Sequence, residues 1–471
     1  MSLLWTLAGC GLSSNHYLLI DQSLLANDPR RADAIMAEAE SEYGARNRLL
    51  YSMDRGMTLH LAGDYVQSNI FLEQASLEVE RLYTRTIRTE TAAFLTNDNL
   101  LPYEGDPYEH VMINVIKALN YAAMGQLMEA VVEARQIDHR LNVLSDRVRE
   151  QDGYREDAFA RYLTGVLYEA TGDLNNAFIA YRKAYDIYER TRGWARTPMP
   201  PMLRGDLLRT TEALHMTTEF EEYRRQFPDQ RWRSPQEQAD LAQVVVIGYN
   251  GRAPRKEEVH LDIPVSLSAL QLVLLNRGVI HASGRQERRA ADSVLYGLNG
   301  RVVRVALPRL VPQKTQVLHE SVTLVPRGGE PVTEPSQLMY NGTALAERSL
   351  SDRMTGITTK ALARAAMKFA AAEAATRGSQ HAVNKGDAPW VGLLVGVLTH
   401  GLAVATEVAD TRSWRTLPDE IQVSRLWVPA GEYDSRIQPV VRNGVAPQAA
   451  VSRPLVLRAG QTVFLFERVV L

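Results

Sequence analysis

The spacing of small and large residues between Gly165 and Ala184 constrains this 471-residue chain more than any other feature. Gly165, Tyr168, Gly172, Ala177, Tyr181 and Ala184 fall at relative positions 0, 3, 7, 12, 16 and 19. Two antiparallel helices that meet at Gly165 and Ala177 can approach closely, with Tyr168 and Tyr181 filling the gaps beside the contact. Gly172 supplies the turn, because glycine takes positive φ at no steric cost. Set on Gly56, the same template gives Leu59, Gly63, Ser68, Leu72 and Ala75. Set on Ala118, it gives Tyr121, Gly125, Ala130, Ala134 and Ile137. A fourth pair is expected in Leu203 to Phe227, ended by Phe227-Pro228.

This is the tetratricopeptide pattern of paired helices. The turn glycines at 63, 125 and 172 stand 62 and 47 residues apart, not at the regular repeat of about 34. A divergent solenoid is therefore expected over residues 46–235, with lengthened helices and a loop from Asn97 to Pro107. Such a stack leaves a concave groove suited to peptides or protein partners. Tyr154, Arg161, Tyr162, Tyr185 and Tyr188 are the candidate partner-binding residues. The plainer reading makes the tyrosines inter-helix core and the arginines solvated.

After residue 240 the period changes from helical to two. Val244-Val245-Val246-Ile247 followed by Gly248-Tyr249-Asn250-Gly251 reads as a buried strand ending in a turn. Further strands are expected at Val259 to Val265, Arg301 to Leu307, Thr315 to Val325, Ile421 to Val428, Val451 to Leu457 and Thr462 to Leu471, whereas Leu267 to Val279 is ambiguous. Between them, Ile357 to Arg377 reads as a helix, and Trp390 to Val408 as an apolar segment carrying Gly392 and Gly396. That segment reads most simply as a helix buried under the β domain; self-association and membrane insertion are the other readings. The expected organisation is α+β and multidomain, with an N-terminal tetratricopeptide-like solenoid followed by a sandwich-like β domain (236–350) interrupted by a helical insertion (351–409). A C-terminal β module (410–471) completes the chain.

Cys10, the single cysteine, closes the run Leu7-Ala8-Gly9-Cys10. A leucine, two small residues and a thiol form a lipobox, with residues 1–9 as a signal remnant and 10–45 as a lipid-anchored segment. No basic residue precedes the apolar stretch, so the true start is expected upstream. Gly11 after the cysteine favours the outer membrane.

With 53 Lys and Arg against 55 Asp and Glu, no basic excess is available to neutralise phosphates, so nucleic acid is not an expected partner. No nucleophile elbow, phosphate loop or dinucleotide fingerprint occurs. His319-Glu320 starts a zincin-like pair, but Thr323 stands where the second ligand belongs. No catalytic residue, metal or cofactor is expected. The acidic stretch Tyr103-Glu104-Gly105-Asp106-Pro107-Tyr108-Glu109 could hold a cation but fits no calcium loop. Asp410 and Arg412 are expected to pair or cap.

The lipobox, the Tyr103 to Glu109 loop and the stretch Ala409-Asp410-Thr411-Arg412-Ser413-Trp414-Arg415-Thr416-Leu417-Pro418 together resemble a poorly characterised proteobacterial family of tetratricopeptide outer-membrane lipoproteins. Pro429-Ala430-Gly431-Glu432-Tyr433 with Ala459-Gly460-Gln461-Thr462 resembles PEGA-type β modules. The resemblance implies a periplasm-facing, lipid-anchored scaffold that recruits protein partners of the cell envelope. The alternative is a structural subunit of an oligomeric export or appendage-anchoring assembly, self-associating through Trp390 to Val408.

Overall fold

A computed structural model describes residues 15–86, 101–147, 156–264, 302–376, 408–442, 444–445 and 451–470. Cys10, Tyr154, Leu267 to Val279 and Trp390 to Glu407 lie outside the described residues.

Four helical hairpins follow one another: α4 (Arg48–Ala62) with α5 (Tyr65–Thr86), α6 (Pro107–Ala123) with α7 (Leu127–Arg147), α8 (Ala158–Ala170) with α9 (Leu174–Ala195), and α10 (Pro201–Ala213) with α11 (Thr217–Gln226). Gly63, Gly125 and Gly172 make the first three turns at φ of 80°, 73° and 81°. His215 makes the fourth at φ 55°. The small positions act as the spacing implies. A Cβ on Gly56 would stand 2.6 Å from Leu72, and one on Gly165 would overlap the Tyr181 ring. Ala75, Ala118, Ala130, Ala177, Tyr181 and Ala184 are fully buried, Tyr168 is buried, and Tyr121 packs at the edge of the core.

Three helices precede the repeat: α1 (Asn15–Leu25), α2 (Pro29–Glu38) and α3 (Glu40–Tyr43). Their Tyr17, Ile20, Met36 and Tyr43 belong to the same core as the hairpins, so residues 15–43 extend the helical layer. A short α12 (Pro235–Gln238) leads into the strands.

The strands are β1 (Leu241–Asn250), β2 (Arg255–Pro264), β3 (Val302–Val311), β4 (Val317–Pro326), β5 (Val332–Pro335), β6 (Gln337–Asn341), β7 (Glu420–Pro429), β8 (Gly431–Val441), β9 (Gly444–Val445), β10 (Val451–Leu457) and β11 (Thr462–Val469). One sheet runs β11-β1-β7-β6, the second β10-β8-β4-β5 with β9 on β8, and β2-β3 form a ribbon. Consecutive residues of β1 point to opposite faces. Val244 and Val246 meet the second sheet, while Val245, Ile247 and Tyr249 meet the helices. Burial on both faces is why this strand reads as a continuous apolar run.

Two sequence boundaries change. The strands after residue 410 form no module of their own: β7 pairs with β1 and β6, β8 with β4, and β11 runs parallel to β1. The long helix α13 (Gly342–Thr376) begins nine residues before the expected insertion. Asn341 caps it, accepting from the Ala344 amide at 3.0 Å, and a Cβ on Gly342 would crowd the Pro418 and Asp419 carbonyls.

Inside the sandwich the apolar layer ends in a polar one. Glu320 of β4 lies over Gly248, where any Cβ would overlap its carboxylate. Neither carboxylate oxygen has a hydrogen-bond partner, and the Asn250 carboxamide faces it without completing one. Burial, with the Glu467 charge added, pushes Glu320 up to about 8; burial likewise lifts Glu467 to about 7, against the pull of Arg453. The folded protein therefore holds protons that the unfolded chain releases above the ordinary 4.5. These two carboxyls are expected to lower stability as pH rises from there toward 8, with no opposing slope from His60 above 6.5. Thermal unfolding across that range should show the decline, and Glu320→Gln should flatten it. An unchanged slope would count against a protonated Glu320.

Candidate functional site

The first helices of the hairpins pack toward the sheet β11-β1-β7-β6. Among the described residues, four sets of side chains contribute to the junction.

The deepest is built on Arg425 of β7, which shares the helix-facing side with Ile421 and Val423 and is 1% exposed. Its guanidinium donates to Asp206 Oδ2 at 2.7 Å and Glu169 Oε2 at 2.8 Å, and to the hydroxyls of Tyr162 at 3.2 Å and Tyr181 at 3.4 Å. Arg209 bridges the same two carboxylates from α10, reaching Asp206 Oδ1 at 2.7 Å and pairing with Glu169 Oε1. Two guanidiniums and two carboxylates thus close a neutral box. Burial alone would raise Glu169, but Arg209 and Arg425 reverse it and hold the carboxyl at about 2.

At the second set His60 of α4 shares hydrogen bonds with Asn120 Oδ1 at 2.6 Å and the Tyr249 hydroxyl at 2.9 Å. Burial lowers it to about 4, partly countered by Asn120, so it is neutral near pH 7. With both ring nitrogens occupied it offers no free base. At the third, the Tyr188 hydroxyl donates to the Met339 carbonyl of β6 at 2.7 Å.

The fourth joins the Tyr103 to Glu109 loop to residues 409–419, some 300 residues further along the chain. The acidic loop does hold cations, and they are the chain's own: Asp106 accepts from Lys256 at 3.1 Å and pairs with Arg353. Glu109 takes the Tyr103 hydroxyl at 2.6 Å, the Asp106 amide at 2.8 Å and the Trp414 amide at 2.8 Å. Arg412 pairs with Asp410 at 2.7 Å and lies over the Tyr103 ring. Trp414 is fully buried, and Thr416 donates to Asp54 at 2.9 Å, where the Tyr17 and Tyr43 hydroxyls also converge. Residues 409–419 therefore strap the β layer to α4 and α6.

The sequence-selected partner-binding residues are placed as follows. Tyr162 and Tyr188 are buried against the chain's own sheet. Arg161 is buried in an ion pair with Asp138 and is not solvated. Tyr185, half-buried, stands edge-on to Tyr223 and Phe227. Sequence reasoning missed Arg425, Glu169, Asp206 and Arg209. Only Arg425 left a signal, as a charge on the apolar parity of an alternating strand.

Among the described residues, no three His, Cys, Asp or Glu side chains converge to hold a metal, and no helix is long and apolar enough to cross a membrane. The geometry defines a helical repeat closed by its own β sandwich.

No family model matches the chain, and no curated protein matches it. Solved structures similar to its helical part are TPR-like repeat proteins. MamA is 13% identical over 45% of this chain and 94% of that one, with a TM-score of 0.29. A Podosopora anserina putative kinesin light chain with nearly identical TPR-like repeats is 17% identical over 48% of this chain and all of that one, at 0.32. The Rap conjugation gene regulator of plasmid pLS20, in complex with the Phr* peptide, is 14% identical over 45% and 53%, at 0.27. At such TM-scores these likenesses bear on neither activity nor partner.

Proposed function

We propose that this protein is a non-catalytic scaffold of the cell envelope, tethered to the outer membrane through a lipid on Cys10 and docking a protein partner on its outer helical face. The observation that carries the reading is the sheet laid over the first helices. With its first helices covered by its own sheet, the described part of the repeat presents its outer surface to others. That surface carries several large apolar side chains. Val66, Ile70 and Leu77 of α5 and Met128 and Val132 of α7 are between 45% and 67% exposed, on faces opposite those packed in the core. Val66, Ile70 and Leu77 share one face of α5 by their spacing, and large apolar side chains exposed on one face favour a protein contact. The buried charges of the junction and the neutral His60 are already partnered, which leaves them structural work.

A photo-crosslinking residue placed at Ile70 or Val132 in living cells is expected to capture one shared partner, and one at the exposed Arg327 is not. Capture lost on Ile70→Glu and Val132→Glu would support the reading. No common product from the two positions would sink it. For the tether, Cys10→Ala should move the protein from the membrane fraction to the soluble one, and unchanged fractionation would refute it.

A further inference from the structure

Helix α1 is apolar on both sides. Tyr17, Ile20 and Leu24 turn inward to the shared core. Leu18 and Leu25 stack on the opposite face with Gln22 between them, and Leu19 lies beside them. The three leucines are 57%, 47% and 48% exposed respectively. The exposed polar residues of the helix, Asn15 and Gln22, carry no charge. Asp21, its one carboxylate, is held at the side by Arg252 at 2.9 Å. The chain then turns tightly through Asn27 at φ 55°, with the Asp28 amide donating to the Ser23 carbonyl at 2.9 Å. Exposed Arg30 and Arg31 open α2 directly after this turn, at the Leu25 end of α1.

Position in the chain says what covers this face. Cys10 stands five residues before Asn15, a reach of at most about 18 Å, so a lipid on Cys10 would hold α1 close to the bilayer surface. Eleven residues of helix measure about 16 Å, too short to cross a hydrocarbon core of about 30 Å. A short helix with an uncharged, leucine-rich face lies in the membrane interface instead, and arginines beside it meet anionic head groups. We propose that α1 rests Leu18, Leu19 and Leu25 on the membrane surface, with Arg30 and Arg31 toward lipid phosphates. Because Tyr17, Ile20 and Leu24 lock α1 into the core, seating this helix sets how the whole helical layer stands on the bilayer. The inference rests on the reading that Cys10 carries a lipid, and it concerns a different helix from α5 and α7.

Cys10 is the single cysteine, so the purified full chain can be coupled through it to a maleimide phospholipid in vesicles of phosphatidylethanolamine and phosphatidylglycerol. This sets the tether by chemistry and leaves the seating to be measured alone. The photo-crosslinking residue p-benzoylphenylalanine is placed in turn at Leu18, at Leu25 and at Arg327, the last 83% exposed. Irradiation is expected to give lipid adducts at positions 18 and 25 in about tenfold higher yield than at 327, the preference that burying one leucine supplies. Leu19→Glu should lower the adduct at position 25 by about tenfold. Arg30→Glu with Arg31→Glu should lower it several-fold in these vesicles and not in vesicles of phosphatidylcholine. Adducts to a second copy of the chain or to residues 1–14 in place of lipid would overturn the seating. So would yields at 18 and 25 no higher than at 327, or no loss in either variant. Fractionation of Cys10→Ala tests the tether separately, so the two failures are told apart.

Discussion

Replacing Arg425 with methionine is expected to destabilise the protein by about 3–5 kcal/mol, the effect of stranding buried charge rather than of losing one contact. Arg425 and Arg209 together neutralise Glu169 and Asp206, all four groups being largely out of water. With Arg425 gone, one guanidinium faces two carboxylates in a dry pocket. Chemical denaturation measures the loss. The diagnostic is recovery: Glu169→Gln added to Arg425→Met should restore much of it, because the surplus charge disappears with the acid. A loss below about 1 kcal/mol, of the size usual for exposed pairs, would show that water enters the box.

Trp414→Ala is the second large effect, at about 3–5 kcal/mol, the range for truncating a buried aromatic side chain. Trp414 is the largest fully buried side chain among the described residues, and its indole N–H also donates to Thr416 at 2.9 Å. Because its backbone amide is held by Glu109, the damage should be local to the strap at first. Limited proteolysis should then cut residues 409–419 in the variant before any other segment. Unfolding that matches the parent protein would mean that the strap is peripheral to the junction.

The helical half was readable because its determinants are local. Gly56, Gly165 and the turn glycines report contacts made within some 20 residues, and each does what its spacing implies. The existence of β1, β4, β7, β10 and β11 was readable for the same reason, since β1 and β7 show their burial in their own composition, whereas β5, β6 and β8 were not anticipated. Strand partnership was not. That β11 runs beside β1, and β8 beside β4, depends on pairings across more than a hundred residues that leave no trace in either strand. The groove was anticipated as a place for something else to bind. That β7 would lie against those helices could only be guessed from Arg425, whose charge stands among apolar neighbours of the same parity. Glu169, Asp206 and Arg209 look like ordinary surface charges of amphipathic helices until the sheet lies on them.

The parallel pairing of β1 with β11 also sets an order of events. Gln243 aligns with Thr462 and Asn250 with Val469, so the central strand lacks one neighbour until more than two hundred further residues have been made. Helical hairpins close from local contacts and form early, whereas such distant pairings form late. A nascent repeat would thus wait with Glu169, Asp206 and Arg209 in water and its apolar inner wall uncovered. During that interval the chain is vulnerable to aggregation, and a binder of unfolded segments would find its best target there.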